Sequence, residues 1–196
     1  MKKLALVFLV VLSCTLVIKA PDFLRESKND FLRREEYAVY SAVIESHLDF
    51  WAGKPFQCVV IEDHTYLDES LLNWTFSSFE GIEQETMNDF FFKNASPYPL
   101  QYLFNLDLPV VLISAAEIAT LFRGDPSEGW RNFYTRYPHS QGIMELSRVG
   151  FNPDMNQAIV YEGNQEFSLS GSGYVHYLVK VNGEWIIQDT ISVWIS

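Results

Sequence analysis

A histidine and an aspartate, His176 and Asp189, stand at equal distances on either side of the dipeptide Asn182-Gly183. Asn-Gly between two apolar runs is a strong signal for a two-residue hairpin turn. Such a turn sets the opposing residues: Val181 faces Glu184, Lys180 faces Trp185, Leu178 faces Ile187, and His176 faces Asp189. A His–Asp pair across a hairpin offers the base and the orienting acid of a hydrolytic site, with Ser170 or Ser172 as a nearby hydroxyl. It serves equally as a cross-strand ion pair at a half-wet edge. No nucleophile elbow accompanies the pair, which favours the ion pair.

Glu62-Asp63-His64, followed by Asp68 and Glu69, is a compact acidic cluster after an apolar run. Oxygen and imidazole ligands of this kind can hold a hard cation or help a zinc ion. The glycine of a calcium loop is missing and no second histidine sits at helical spacing, so a solvated turn is the simpler reading. Arg148 lies among apolar neighbours in a strand-like stretch and needs a carboxylate partner or a ligand, which makes it the ligand-contacting candidate. Cys58, in Cys58-Val59-Val60-Ile61, has no neighbouring charge to lower its pKa and reads as a small hydrophobe. His47 and His139 have no partner visible in the chain. Aromatic residues, 15% of the total, could form a stacking platform for a ligand, but at helix and strand periods they more often fill a core. No nucleotide or cofactor motif is present, and no cofactor is expected.

The elements that must position these residues follow from capping and periodicity. Ser27 to Asn29 offers helix caps, and Leu32, Tyr40, Val43, Ile44 and Leu48 recur at three-to-four spacing until Gly53 and Pro55 stop the helix. Residues 57–61 and 110–113 read as strands. A helix is expected over 82–93, ending in Phe90-Phe91-Phe92, a run apolar on too many sides to face water. Ser114-Ala115-Ala116-Glu117 has capping-box spacing and starts a helix to about Phe122. Asp125-Pro126 opens the next, which carries Trp130, Phe133, Tyr134 and Tyr137. Strands follow at 144–149, 156–162, 174–181 and 184–194. Helices first and a strand meander last predict an α+β fold: N-terminal and central helices on a mostly antiparallel sheet with a C-terminal β-meander.

At 196 residues the chain suits one domain, and 48% hydrophobic against 20% charged residues excludes a disordered chain. Met1-Lys2-Lys3 followed by Leu4 to Leu12 is a basic and then apolar leader of signal-peptide length. Residues 1–20 are therefore expected to be a signal peptide or membrane anchor, and 21–196 a single globular domain. Val11-Leu12-Ser13-Cys14 resembles a bacterial lipoprotein cleavage box, which implies lipidation at Cys14. The expected location is extracytoplasmic: periplasm, envelope or secreted, with the N-terminal segment as the membrane contact. A net charge of −11 without a basic stripe repels phosphate backbones and excludes nucleic acid as a partner.

Ser147-Arg148-Val149-Gly150-Phe151-Asn152, Gln157-Ala158-Ile159-Val160-Tyr161, Gly171-Ser172-Gly173-Tyr174 and the terminal Trp194-Ile195-Ser196 together resemble a group of uncharacterised exported bacterial proteins. The likeness covers about the last 60 residues well, and extends to Glu36-Tyr37-Ala38-Val39-Tyr40. It implies export and a common domain, and carries over no catalytic residue. In that group the position of His176 tends to be apolar, which implies a structural histidine.

Three functions are compatible with these residues. The leading one is a non-enzymatic binding or interaction module on the outer side of a bacterial membrane. The second is an envelope or secreted hydrolase using His176 and Asp189, or the Glu62–His64 cluster. The third is an acidic inhibitor-type protein that neutralises a basic partner.

Overall fold

The hydroxyl of Ser27 accepts the Asp30 amide proton at 3.1 Å and starts α1, Lys28–Phe50. The computed structural model describes residues 27–50, 53–66, 68 and 79–196. The leader, with Cys14, and Glu69 lie outside these. Among the described residues no helix is long and apolar enough to cross a membrane.

Seven strands form one mixed sheet: β1 (Val59–Glu62), β2 (Val110–Ile113), β3 (Ile143–Leu146), β4 (Gly150–Phe151), β5 (Gln157–Phe167), β6 (Ser170–Val181) and β7 (Glu184–Ile195). The order is β2-β1-β3-β5-β6-β7, with β4 paired to β5. β1 runs parallel to both β2 and β3, and all other pairings are antiparallel. The fold is α+β with a C-terminal meander, as the pattern of elements predicts.

Strand alternation divides the core in two. Val59, Ile61, Met144, Leu146, Ala158, Val160 and Leu178 pack beneath α1, against Tyr37, Tyr40, Val43 and Ile44. The opposite face carries α2 (Gln84–Lys93) over Ile159, Tyr161, Val175 and Tyr177, and α4 (Pro126–Arg136) over Val60, Ile113 and Ile143. Asp125 caps α4 through Oδ1, which accepts from the amides of Ser127 and Glu128. Ser114 caps α3 (Ala115–Leu121). Glu117 instead accepts from Arg136 and Tyr137 at 2.6 Å each, tying α3 to α4. In the Phe90-Phe91-Phe92 run only Phe90 is buried; Phe92 is 83% exposed, because α2 lies on the sheet with one face and leaves the other to solvent.

The hairpin forms as expected, with Asn182 and Gly183 both at positive φ. Its register holds from Val181↔Glu184 to Leu178↔Ile187, then shifts at a β-bulge, so that Tyr177 faces Asp189 and His176 faces Thr190. The expected His176–Asp189 pair is thereby overturned. The bulge has a packing cause: Trp185 and Ile187 pack beneath α1, whereas Ile191 and Val193 pack on the α2 side. In an unbroken strand these four odd-numbered residues share one face; one extra residue lets β7 serve both cores.

Candidate functional site

At the C-terminal end of α1 a cleft opens between that helix and β5–β7. Its volume is about 260 Å³, and it is lined by His47, Glu162, Ser172, Tyr174, His176 and Thr190, with Ser46 and Phe50 from the end of α1. Even-numbered residues of β5 face α1, so Glu162 continues the row of Ala158 and Val160, where an apolar residue would be expected. Its side chain is 2% exposed. A buried carboxylate is costly unless paired, and two imidazoles pair it. His47 Nδ1 lies 2.7 Å from Oε1, and His176 Nε2 donates to Oε2 at 3.2 Å. The histidine side chains are themselves only 7% and 8% exposed.

Burial by itself would raise the Glu162 carboxyl. The bonds and charges of His176 and His47 outweigh that and bring it down to about 2, so it is an anion throughout the physiological range. An anionic oxygen accepts only, which fixes a proton on His176 Nε2. Two bare lone pairs at 2.7 Å would repel, so His47 carries its proton on Nδ1. His176 Nδ1 is 3.0 Å from the Thr190 hydroxyl, completing the chain Thr190–His176–Glu162–His47.

The cluster is incompletely satisfied. Glu162 Oε1 is met by His47 Nδ1 alone, and His47 Nε2 is buried without a hydrogen bond. Asn164 Oδ1, two residues along β5 and directly opposite Ser172, is in the same state. Its amide nitrogen donates to the Gln141 carbonyl, which settles the orientation of that group.

Among the candidates from sequence, Asp189 lies outside this cleft: the bulge turns it to the other face, exposed, where Oδ1 accepts from the Thr190 amide. Ser172 is on the cleft wall, whereas Ser170 is exposed at the start of β6. The acidic cluster separates because neighbouring strand residues point to opposite faces. Asp63 pairs with His64 at 2.8 Å, and Glu62 turns toward α4, beside Glu145. There a second cavity of about 510 Å³ is walled by Phe122, Trp130 and Trp194. Burial, then the charge of Glu62, pushes Glu145 up to about 7; burial, then Asp63, raises Glu62. Among the described residues no group of three or more histidine, cysteine, aspartate or glutamate side chains is arranged to hold a metal ion. Cys58 is half-buried, and burial pushes its thiol up, away from nucleophilic use.

Arg148 finds the carboxylate that its surroundings demand. Nε and Nη2 donate to Glu36 at 2.6 and 3.1 Å, and the guanidinium lies 4.1 Å over the Tyr98 ring. Glu36 Oε1 also accepts the Val149 amide proton, and Tyr40 donates to the Ser147 carbonyl. Asn94 closes the arrangement, bonding both the N–H and the C=O of Arg148. The two sequence stretches around Glu36 and Ser147 thus meet in one buried polar joint.

Glu162 and His47 were not marked as functional by the sequence. His47, at the last turn of α1, and Glu162, a lone acid inside an otherwise apolar strand, carried a weak signal: a charge in the interior row of a strand requires a partner. No family model, curated protein or solved structure matches the chain.

Proposed function

We propose that this chain is a ligand-binding module, carried to the outer side of a bacterial membrane by its N-terminal segment, and that the cleft between α1 and β5–β7 is its binding site. One observation carries the reading: a buried His47–Glu162–His176 cluster sits in the cleft wall with His47 Nε2 left unpaired. Buried unpaired polar atoms each cost about 1–3 kcal/mol, and a ligand that pairs them recovers that cost. Thermal unfolding of the full-length chain in mild detergent, against small cationic, neutral and anionic compounds, tests it. At least one compound should raise the transition temperature of the native chain and fail to do so for His47→Leu. Equal shifts in both proteins, or none, would count against the site. Export and anchoring are tested separately, by fatty-acid labelling of cells expressing the native chain or Cys14→Ala; equal labelling rejects a lipid at Cys14.

A hydrolase is the second reading, favoured by the hydroxyl–imidazole–carboxylate chain Thr190–His176–Glu162, at 3.0 and 3.2 Å. Against it, the amide of Thr190 is bonded to Asp189 and is unavailable to stabilise an oxyanion. Ester hydrolysis that is abolished in Thr190→Ala would promote this reading over the first.

A further inference from the structure

One row of residues crosses five strands on the face of the sheet that α2 and α4 cover. Ile61 pairs with Met144, so Glu62 of β1 and Glu145 of β3 follow side by side. Glu145 then faces Gly163 of β5, Gly163 faces Gly173 of β6, and Gly173 faces Trp194 of β7. Two carboxylates stand at one end of the row, an indole at the other, and two residues without side chains between them. The indole lies in that trough. A Cβ at Gly173 would collide with Trp194 Nε1, Cδ1 and Cε2, and one at Gly163 would lie 3.5 Å from its Cζ2. The ring therefore extends over both glycines toward the carboxylates, and its Nε1 is held there by donating to the Tyr161 hydroxyl at 3.0 Å. Phe122, at the end of α3, and Trp130 of α4 meet edge to face at 5.0 Å and close the second cavity, of about 510 Å³.

Glu62 and Glu145 both line this cavity and are half-buried. Burial and like charge are what act on them, Glu62 on Glu145 and Asp63 on Glu62. Among the described residues neither has a hydrogen bond or an ion pair. A cation placed between this pair and the indole removes the repulsion. Aromatic faces attract cations, tryptophan most strongly, and the net charge of −11 draws the same class. A bare metal ion would leave the aromatic walls without a role, and no third metal-binding side chain joins the two carboxylates among the described residues. The volume lies within the roughly 300–1,000 Å³ of sites for small organic molecules.

We infer that this cavity binds a small organic cation, an ammonium carried on an apolar body, with its charge against Glu62 and Glu145 and its body against Trp194 and Phe122. The site lies on the opposite face of the sheet from the α1 cleft and does not depend on it.

Three probes that share one apolar body test the assignment: 2-phenylethylammonium, 2-phenylethanol and 3-phenylpropionate. Each is titrated by calorimetry into the full-length chain, with matched mild detergent, at pH 8, where Glu145, pushed up to about 7 by burial and by Glu62, is ionised. The ammonium should bind at least about tenfold more tightly than the alcohol, with no binding of 3-phenylpropionate. Glu145→Gln, which removes a repelled charge and so keeps the fold, should weaken the ammonium about tenfold and leave the alcohol within about twofold. Gly173→Ala, which displaces the indole and spares both carboxylates, should weaken the ammonium about three- to tenfold. His47→Leu should leave its binding unchanged. The assignment is overturned if the alcohol or 3-phenylpropionate binds as tightly as the ammonium, or if the ammonium does not bind. It is overturned equally by ammonium binding that is unchanged in Glu145→Gln or Gly173→Ala, or that is lost in His47→Leu.

Discussion

Two buried carboxylates serve the same helix in opposite ways. Glu36, near the start of α1, and the Glu162 that faces its end are each almost wholly removed from water, at 5% and 1% exposure. Glu36 is surrounded by donors fixed in the scaffold: two from Arg148 and one from Val149. Its partners close the joint between α1 and the β3–β4 turn. Glu162 is held instead by two imidazoles, groups that can exchange roles as donor and acceptor, and its cluster leaves atoms without partners beside a cavity. The contrast teaches how to separate a structural charge from a functional candidate when both are buried and paired. Completeness of hydrogen bonding, rather than burial, distinguishes them.

The largest expected effect comes from breaking the complete joint. Glu36→Ala strands the Arg148 guanidinium in a half-buried place and removes an acceptor from the Val149 amide, so urea unfolding should show a loss of about 3–5 kcal/mol. A loss under about 1 kcal/mol would show that the Glu36 joint is not part of what holds the fold together.

Next in size is the pH dependence of the second cluster. The folded-state pKa of Glu162 is depressed from 4.5 to about 2, so its contribution is present above pH about 4.5 and disappears as pH falls towards 2. The stability difference between the native chain and Glu162→Gln, up to about 3 kcal/mol at neutral pH, should therefore shrink over that window in acid unfolding curves. A difference constant down to pH 2 would mean that the histidines do not hold the carboxylate.

A third carboxylate sharpens the comparison by its opposite sign. Glu145, beside Glu62 and with no cationic partner among the described residues, has its pKa raised from 4.5 to about 7. The folded state then binds the extra proton, and stability falls as pH rises from about 4.5 to about 7. Glu145→Gln should raise the transition temperature at pH 8, by the equivalent of about 1–2 kcal/mol, and leave it nearly unchanged at pH 4. Equal effects at both values would contradict a protonated Glu145.

The smallest stability effect belongs to the cleft wall. Thr190→Val should alter unfolding by no more than about 0.5 kcal/mol, since the residue is exposed and valine suits a strand. A loss of several times that would make the Thr190–His176 bond part of the scaffold.

Much of the architecture was legible because its causes are local. Asp125-Pro126 caps α4, Ser114 caps α3, and Asn182-Gly183 makes the hairpin, each through bonds or dihedrals within a few residues. The demand of Arg148 for a carboxylate was also readable, since a guanidinium among apolar neighbours has few alternatives. Which carboxylate answers it was not, because Glu36 lies 112 residues away. The His176–Asp189 expectation failed for a reason no local rule contains. It assumed an unbroken register, whereas β7 must supply Trp185 to the core under α1 and Val193 to the core under α2.

The amino-acid sequence alone therefore determined the order and type of most elements, though not the break between β3 and β4, together with the hairpin and the acidic character of the chain. Propensity, capping and charge act over short distances or as simple sums. Tertiary structure decided the bulge in β7, the partner of Arg148, and the gathering of His47, Glu162, His176 and Thr190 from four elements into one cleft. Those depend on how two cores compete for the faces of one sheet, and that competition exists only once helices lie on both sides of it.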